Sequence, residues 1–418
     1  MAASGLTEAA VVAVFATVYI GLMLGGLPWL KLDRSGVALL GAIAIVGLGI
    51  MSLNEAAAAV DLPTLVLLFA FMVLSAQMRL GGFYTAVVHA LAQLRMGPRA
   101  LMAALIVVTA GLSAVFSNDI VCLALTPVVV QMCQRRGLNP VAYCLALACA
   151  ANIGSAATLI GNPQNMLIGS MAKLDFADYA RRAAWPVGLG LLALWGWLAW
   201  RPEALHATAP GAATAAPAQT PLAPGFGPLQ QPAFDAWQSS KGALVATVLL
   251  IVFLATDVPR EVAALVGAGV LLSSRRLHSA RVLGLIDGGL LLLFVGLFVV
   301  NHALASTGLP LQAVQWLAQH GVALNHNSTL LILSVALSNL VSNVPAVMLL
   351  LPHVQGDAAA ALLALASTFA GNLMLVGSIA NLIVVDLAQR CGVRIGWREH
   401  LRVGLPVTLL SLMPLVFL

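Results

Sequence analysis

Two Ser-Asn pairs stand in stretches of this chain that are otherwise apolar, Phe116-Ser117-Asn118-Asp119 and Val341-Ser342-Asn343-Val344. Thr126-Pro127 follows the first and Leu351-Pro352 follows the second at the same spacing. A second pair of interruptions matches in the same order, Leu159-Ile160-Gly161-Asn162-Pro163-Gln164-Asn165 against Leu375-Val376-Gly377-Ser378-Ile379-Ala380-Asn381. Such breaks have a definite chemistry when they lie deep in a membrane. A helix that begins there offers unpaired N–H groups and a partial positive charge to an anion. A helix that stops there frees carbonyls which, with Ser and Asn oxygens, coordinate a small cation. The candidates at one site are Ser117, Asn118 and Asp119 with Thr158, Gly161, Asn162 and Asn165. At the other they are Ser342 and Asn343 with Gly377, Ser378 and Asn381. Ser and Asn also cap helix ends without binding anything, but capping alone does not require two matched constellations.

Asp119 is the one carboxylate that falls deep in such a break, and an intramembrane acid is costly enough to be a functional candidate by default. It can bind a cation directly, with Na+ held by Ser117, Asn118, Asp119 and Gly161, or it can load and release a proton. Its counterpart is Val344, so the two sites are chemically unequal. Other polar residues have simpler explanations. Asp386 lies late in its apolar run, near a surface; Asn301 and His302 suit polar packing between helices; Asp61 and Asp287 open matched apolar runs and suit caps. Cys122, Cys133, Cys144, Cys149 and Cys391 have no metal-ligand spacing and suit small apolar packing residues. No zincin motif, nucleophile elbow or pair of membrane carboxylates is present, so the chain does not read as an enzyme, and no cofactor is expected.

The elements that must hold these residues are membrane helices. Hydrophobic residues make up 61% of the 418 positions and charged residues 8%, with a mean hydropathy of +0.99. A soluble surface needs about a quarter charged residues, so most of this chain faces lipid or other helices. Apolar runs recur at 9–30, 36–53, 62–78, 100–133, 139–172 and 184–200, then at 242–256, 260–273, 288–305, 328–352, 358–388 and 403–418. Backbone polar groups in a bilayer must bond internally, which favours helices. Segments 100–134 and 328–352 carry Ser-Asn in the middle and read as re-entrant hairpins; 139–172 and 358–388 read as broken helices. Two membrane repeats, 1–201 and 241–418, flank an Ala/Pro-rich linker, 202–240, whose composition cannot bury a core. Lys and Arg segregate if the first hairpin enters from the cytoplasm and the second from outside. Only Lys173, Arg181, Arg182 and Arg260 then fall outside, the repeats are inverted, the linker is cytoplasmic and both termini are outside. The net charge of +5 follows from this distribution and is no nucleic-acid signature.

At these motifs the sequence resembles the ion transporter superfamily: arsenite-efflux permeases, plant-type silicon effluxers, NhaD-type sodium/proton antiporters and divalent-anion/sodium symporters. The marks are Ser117-Asn118-Asp119, Thr158 to Asn165, and Gly371-Asn372 leading to Gly377-Ser378-Ile379-Ala380-Asn381, and the resemblance covers all but the linker. It implies a homodimer in the cell membrane with a fixed scaffold and a moving transport unit. In the dicarboxylate symporters both tips read Ser-Asn-Thr. Here Asp119 would repel a dianion and Val344 offers it no hydroxyl, so the tips look more like those of the arsenite and silicon effluxers. The expected protein is a secondary transporter of a small inorganic anion or metalloid acid, exchanged against protons. A sodium/proton antiporter, a sodium-coupled sulfate or dicarboxylate symporter and a passive channel are the alternatives.

Overall fold

The computed structural model describes residues 2–27, 30–201, 233–320, 324 and 326–417. The predicted linker lies mostly outside the described residues. Its last part does not belong to a linker, because Asp235 accepts the backbone N–H groups of Trp237 and Gln238 and starts the helix Ala236–Ala255. The second half therefore begins at Asp235, before the expected residue 241. Gln238 and Ser239, which read as polar linker, are buried against Gln77 and the Gly81 carbonyl.

Helices dominate, and the only sheet among the described residues is a two-residue ribbon pairing Gly26–Leu27 with Leu32–Asp33. Six described helical segments are long and apolar enough to cross a membrane: Leu6–Leu24, Leu62–Leu80, Pro98–Val115, Ala236–Ala255, Gly288–Ser306 and Trp397–Phe417. Asp61 and Asp287 cap their helices as expected, each accepting an N–H three residues on at 2.9 Å. Each of those helices ends before a left-handed glycine, Gly82 (φ 66°) or Gly308 (φ 74°), that turns the chain into a short helix, Phe83–Gln93 or Leu309–Gln319. The apolar periodicity did not announce these two helices.

The halves interlock. Helix Arg34–Gly47 packs on Gly288–Ser306 of the other half, where Gly296 has no side chain and a Cβ there would lie 2.6 Å from the Ala38 carbonyl oxygen. Helix Arg260–Leu272 packs reciprocally on Leu62–Leu80.

Helix Pro98–Val115 and helix Asn118–Arg136 both pack on Pro140–Ser155. The Tyr143 hydroxyl donates to the Pro98 carbonyl at 2.8 Å, and Gly154 closes on the backbone of Ala110, so the first arm runs parallel to that helix. Asn118 meets Asn152 near the opposite end, so the second arm runs back antiparallel, with Phe116 and Ser117 forming the tip. By length alone the first arm could cross a membrane; its tip instead meets the chain at the break of the neighbouring helix. The second tip, Ser342, joins Asn327–Val341 to Asn343–Leu350. The breaks fall between Pro140–Ser155 and Pro163–Met171, and between Asp357–Ala370 and Ile379–Arg390. Asn165 and Asn381 thus lie in the first turns of the resuming helices, not in the gaps.

Candidate functional site

One cavity of about 40 Å³ collects both hairpin tips and both resuming helices. Asn118 and Asp119 come from the first tip and Ser342, Asn343 and Val344 from the second; Pro163, Gln164, Ser378 and Ile379 open the resuming helices. Leu22, Arg34, Leu290 and Leu293 close the remaining wall. Arg34 and Asp119 are its two charged side chains, and neither forms an ion pair among the described residues.

Tip one is positioned by backbone and side chain together. The Asn118 N–H donates to the Gly161 carbonyl at 3.2 Å, tying hairpin to break, and the Ser117 N–H donates to the Ser75 hydroxyl at 3.4 Å. A Cβ on Gly161 would lie 2.2 Å from the Ser155 carbonyl oxygen, so only glycine lets these backbones meet. At tip two, Ser342 takes φ 80° and ψ 160°, a region that belongs almost wholly to glycine and costs a side-chain-bearing residue about 1–3 kcal/mol.

Behind the cavity lies a polar network that sequence reading missed in part. Asn152 Oδ1 accepts from Asn118 Nδ2 (3.2 Å) and Ser378 Oγ (3.0 Å), while Asn152 Nδ2 donates to Asn372 Oδ1 (2.9 Å) and Asn381 Oδ1 (3.1 Å). Every hydrogen-bonding site on a primary amide is then in use. Thr368 stands at the matching position in the second half, separated from Asn152 as Gly377 is from Gly161. It accepts from Asn162 Nδ2 (3.3 Å) and Gln164 Nε2 (3.2 Å) and donates to Asn165 Oδ1 (3.3 Å). Each half therefore supplies the polar side chain that organises the other half's break. Asn152 sits inside an Ala-rich run ahead of the break at Gly161, so its place in the network is not apparent locally; the break spacing carried back to residue 152 finds both hubs.

The remaining candidates serve this scaffold. Asn162 accepts the Asn165 N–H and donates to Ser155 Oγ, each at 2.9 Å. Asn165 donates to the Thr158 carbonyl and the Tyr179 hydroxyl, and the Thr158 hydroxyl donates to the Ala114 carbonyl. Asn381 donates to the Gly371 and Met374 carbonyls. Thr158, Gly161, Asn162, Asn165, Gly377 and Asn381 thus stand one layer behind the wall, whereas Asn118, Asp119, Asn343 and Ser378 line it with Ser342, and Ser117 holds the first tip. Asn118 Oδ1 and Asn343 Oδ1 are buried without a donor, which suits a cation or a substrate hydroxyl. The Gly161 carbonyl, offered as a sodium ligand, already accepts from Asn118. No cluster of three or more metal-ligating side chains occurs among the described residues.

The secondary candidates have structural roles. Asn301 accepts from the Tyr19 hydroxyl and donates to the Leu297 carbonyl, joining helices. Asp386 pairs with Arg390 at 2.8 Å and is half exposed. Four of the five cysteines are buried and Cys391 is partly so.

The fold and this cavity define a multi-pass membrane transporter of the secondary type. The chain belongs to the citrate transporter family, CitMHS, which matches residues 19–370, within the ion transporter superfamily. It is 31% identical over 443 residues to the silicon efflux transporter LSI3 of Oryza sativa subsp. japonica, covering 91% of each chain. It is 30% identical over 412 residues to the uncharacterized transporter Rv2685 of Mycobacterium tuberculosis, covering 91% of this chain and 92% of that one. The putative transporter arsB of Dictyostelium discoideum is 31% identical over 150 residues, 36% of this chain and 27% of that one. Among solved structures, the YdaH transporter of Alcanivorax borkumensis superposes with a TM-score of 0.54 over 99% of this chain and 96% of its own, at 15% identity, a likeness of fold alone.

Proposed function

We propose that this chain moves a small inorganic anion or metalloid acid across the cell membrane by proton-coupled exchange, in an alternating-access cycle. The observation that carries this is the cavity shared by both tips, with one carboxylate and one guanidinium that do not neutralise each other. Its volume of about 40 Å³ is a few times the about 10–15 Å³ that one water needs on the same measure. A species of a few heavy atoms fits with less parting of the tips than a six-carbon tricarboxylate would need. A neutral hydroxy-acid donates an O–H to ionised Asp119, and its other oxygens accept from Arg34 and from the amides of the tips. A proton arriving on Asp119 removes the charge that strengthens this bond and turns one of its acceptor oxygens into a donor, which loosens the substrate and sets proton and substrate in competition. The silicon and arsB-type relatives point toward the same substrate class.

The two halves act as inverted repeats, each contributing a re-entrant hairpin and a broken helix, with both termini outside, the linker cytoplasmic and two chains forming a homodimer. The orphaned Asn118 and Asn343 oxygens favour, as a second possibility, a sodium/proton antiporter in which Asp119 binds both ions. Proteoliposome flux with a pH-sensitive dye inside separates the two. Proton movement triggered by arsenite or silicate and abolished in Asp119→Asn is the expected result. Proton movement triggered by sodium alone identifies the antiporter. Sodium-dependent uptake of sulfate, succinate or citrate without proton movement overturns both.

A further inference from the structure

Arg34 and Arg260 are counterparts, separated by the same spacing as Asp61 from Asp287 and Gly82 from Gly308. Each opens a helix, Arg34–Gly47 or Arg260–Leu272, that packs on a long helix of the opposite half, Gly288–Ser306 or Leu62–Leu80 respectively. Their guanidinium groups nevertheless do different things. Arg260 Nη2 donates to the Gly169 carbonyl at 2.6 Å. That carbonyl lies in the last turn of Pro163–Met171, where helix carbonyls lack internal partners and the dipole attracts a cation. Arg34 has no hydrogen-bond or ion-pair partner among the described residues and lines the cavity with Asn118, Asp119, Ser342 and Asn343. Its carbonyl partner by the break spacing would be Val385, on Ile379–Arg390.

We propose that Arg34 and Arg260 exchange roles during transport, one latching the moving broken helix while the other faces the cavity and donates to the substrate's oxygens. In the state described here Arg260 is the latch, on Gly169, and Arg34 is the substrate contact. In the opposite state Arg34 latches at Val385 and Arg260 faces the cavity. The proposal rests on the alternating-access reading. Two sequence-equivalent residues held differently in one conformation are what a machine of two inverted repeats requires, because its other end state is reached by swapping the halves' environments. It also gives the cavity a donor at each end of the stroke, so the substrate meets a guanidinium whichever side is open. A charge-assisted bond of this kind is short and strong enough to bias a two-state equilibrium without freezing it.

The test places a reporter cysteine at Val344, which lines the cavity, in a chain whose partly buried Cys391 is replaced by serine. A membrane-impermeant thiol reagent is applied to either face of proteoliposomes. Removing the latch in Arg260→Gln should shift labelling toward the face opposite to that favoured by the parent, by about ten- to a hundredfold in the ratio of the two rates, as expected for a lost bond to a charged group. Arg34→Gln should leave the parent's favoured face or strengthen it, while raising the half-saturating substrate concentration on that face by about tenfold. Arg260→Lys keeps a charge and N–H donors on a differently shaped head, should lie between, and serves if the glutamine variant does not fold. Labelling ratios in both Arg260 variants equal to the parent's would overturn the proposal while leaving alternating access intact. A parent labelled from one face only under every gradient, with no uphill flux, would overturn alternating access itself and the proposal with it.

Discussion

Replacing Asn152 with alanine should be among the most damaging single changes to the scaffold behind the cavity, although Asn152 does not itself line the cavity and only holds two residues that do, Asn118 and Ser378. The substitution removes four hydrogen bonds of 2.9–3.2 Å. Asn118 and Asn372 suffer most, because Asn118 Oδ1 and Asn372 Nδ2 already lack partners and Asn118 Nδ2 and Asn372 Oδ1 would lose the bonds they make to Asn152. Asn381 keeps its two bonds to the Gly371 and Met374 carbonyls. Side-chain hydrogen bonds between membrane helices average about 0.6 kcal/mol each, which sets a floor of about 2 kcal/mol for four. Each of these two buried side chains left wholly unpaired adds about 1–3 kcal/mol, so a loss of at least about 4 kcal/mol is expected. Asn152→Leu fills the space without the bonds and should be no better. Asn152→Thr borrows the residue found at matching position 368, restores one donor and one acceptor, and should recover part of the loss. The assay is the midpoint of heat-induced aggregation in detergent, paired with proteoliposome flux. An alanine variant with the parent's midpoint and flux would refute the view that reciprocal polar hubs organise the breaks.

Ser342→Gly should raise the same midpoint, because relief of about 1–3 kcal/mol of backbone strain outweighs the about 0.5–1 kcal/mol of extra chain entropy that glycine loses on folding; a lower midpoint would mean that the tip is not strained. Gly154→Ala should cost about 1–3 kcal/mol or more, since the new Cβ would lie 2.3 Å from the Ala110 Cα, whereas Gly111→Ala, where nothing lies within 4 Å, should be neutral or slightly stabilising, and equal midpoints would contradict the close helix contact. The Ser52 backbone N–H and hydroxyl hold the exposed Glu55 carboxylate below its usual range. The stability of the Leu53–Ala59 cap should therefore be intact above the ordinary carboxylate pKa and fall away as pH drops through the lowered value, visible as a drop in amide protection at residues 53–56, taken relative to the intrinsic exchange rate at each pH, that is absent in Glu55→Gln.

Much of this was legible in the sequence because membrane physics leaves few choices. A polar Ser-Asn inside an apolar run has to be sheltered, so the tips at residues 117 and 342 declared themselves. Asp61 and Asp287 could be read as caps because a carboxylate opening an apolar run has an N–H within reach. The short helices after Gly82 and Gly308 were missed because they are amphipathic and too short to leave an apolar run. The start at Asp235 was missed because a polar first turn looks like linker until Gln238 and Ser239 are seen to be buried. Arg34 was counted only as a cytoplasmic charge; its place on the cavity wall depends on how Arg34–Gly47 crosses into the other half, a tertiary fact that no local pattern encodes.

The scaffold is reciprocal and the cavity is not. Asn152 and Thr368 exchange partners across the halves, and Asp61 matches Asp287, yet the wall pairs Asp119 with Val344, Gln164 with Ala380 and Pro163 with Ile379. Substitutions at the matched scaffold positions damage the common framework, because every bond there holds a break in place. Substitutions at the unmatched wall positions change what fits, because those side chains line the cavity, and of them Gln164 also donates to Thr368. Membership of the citrate transporter family and likeness to a silicon effluxer are therefore compatible: relatives can share the framework while differing at a handful of wall positions. Val344→Thr puts a hydroxyl at the second tip, as in the Ser-Asn-Thr tips of the dicarboxylate symporters, and should improve handling of carboxylates only when combined with Asp119→Thr, which removes the repelling charge. Gain of succinate flux by Val344→Thr alone would show that Asp119 does not set the charge of the substrate.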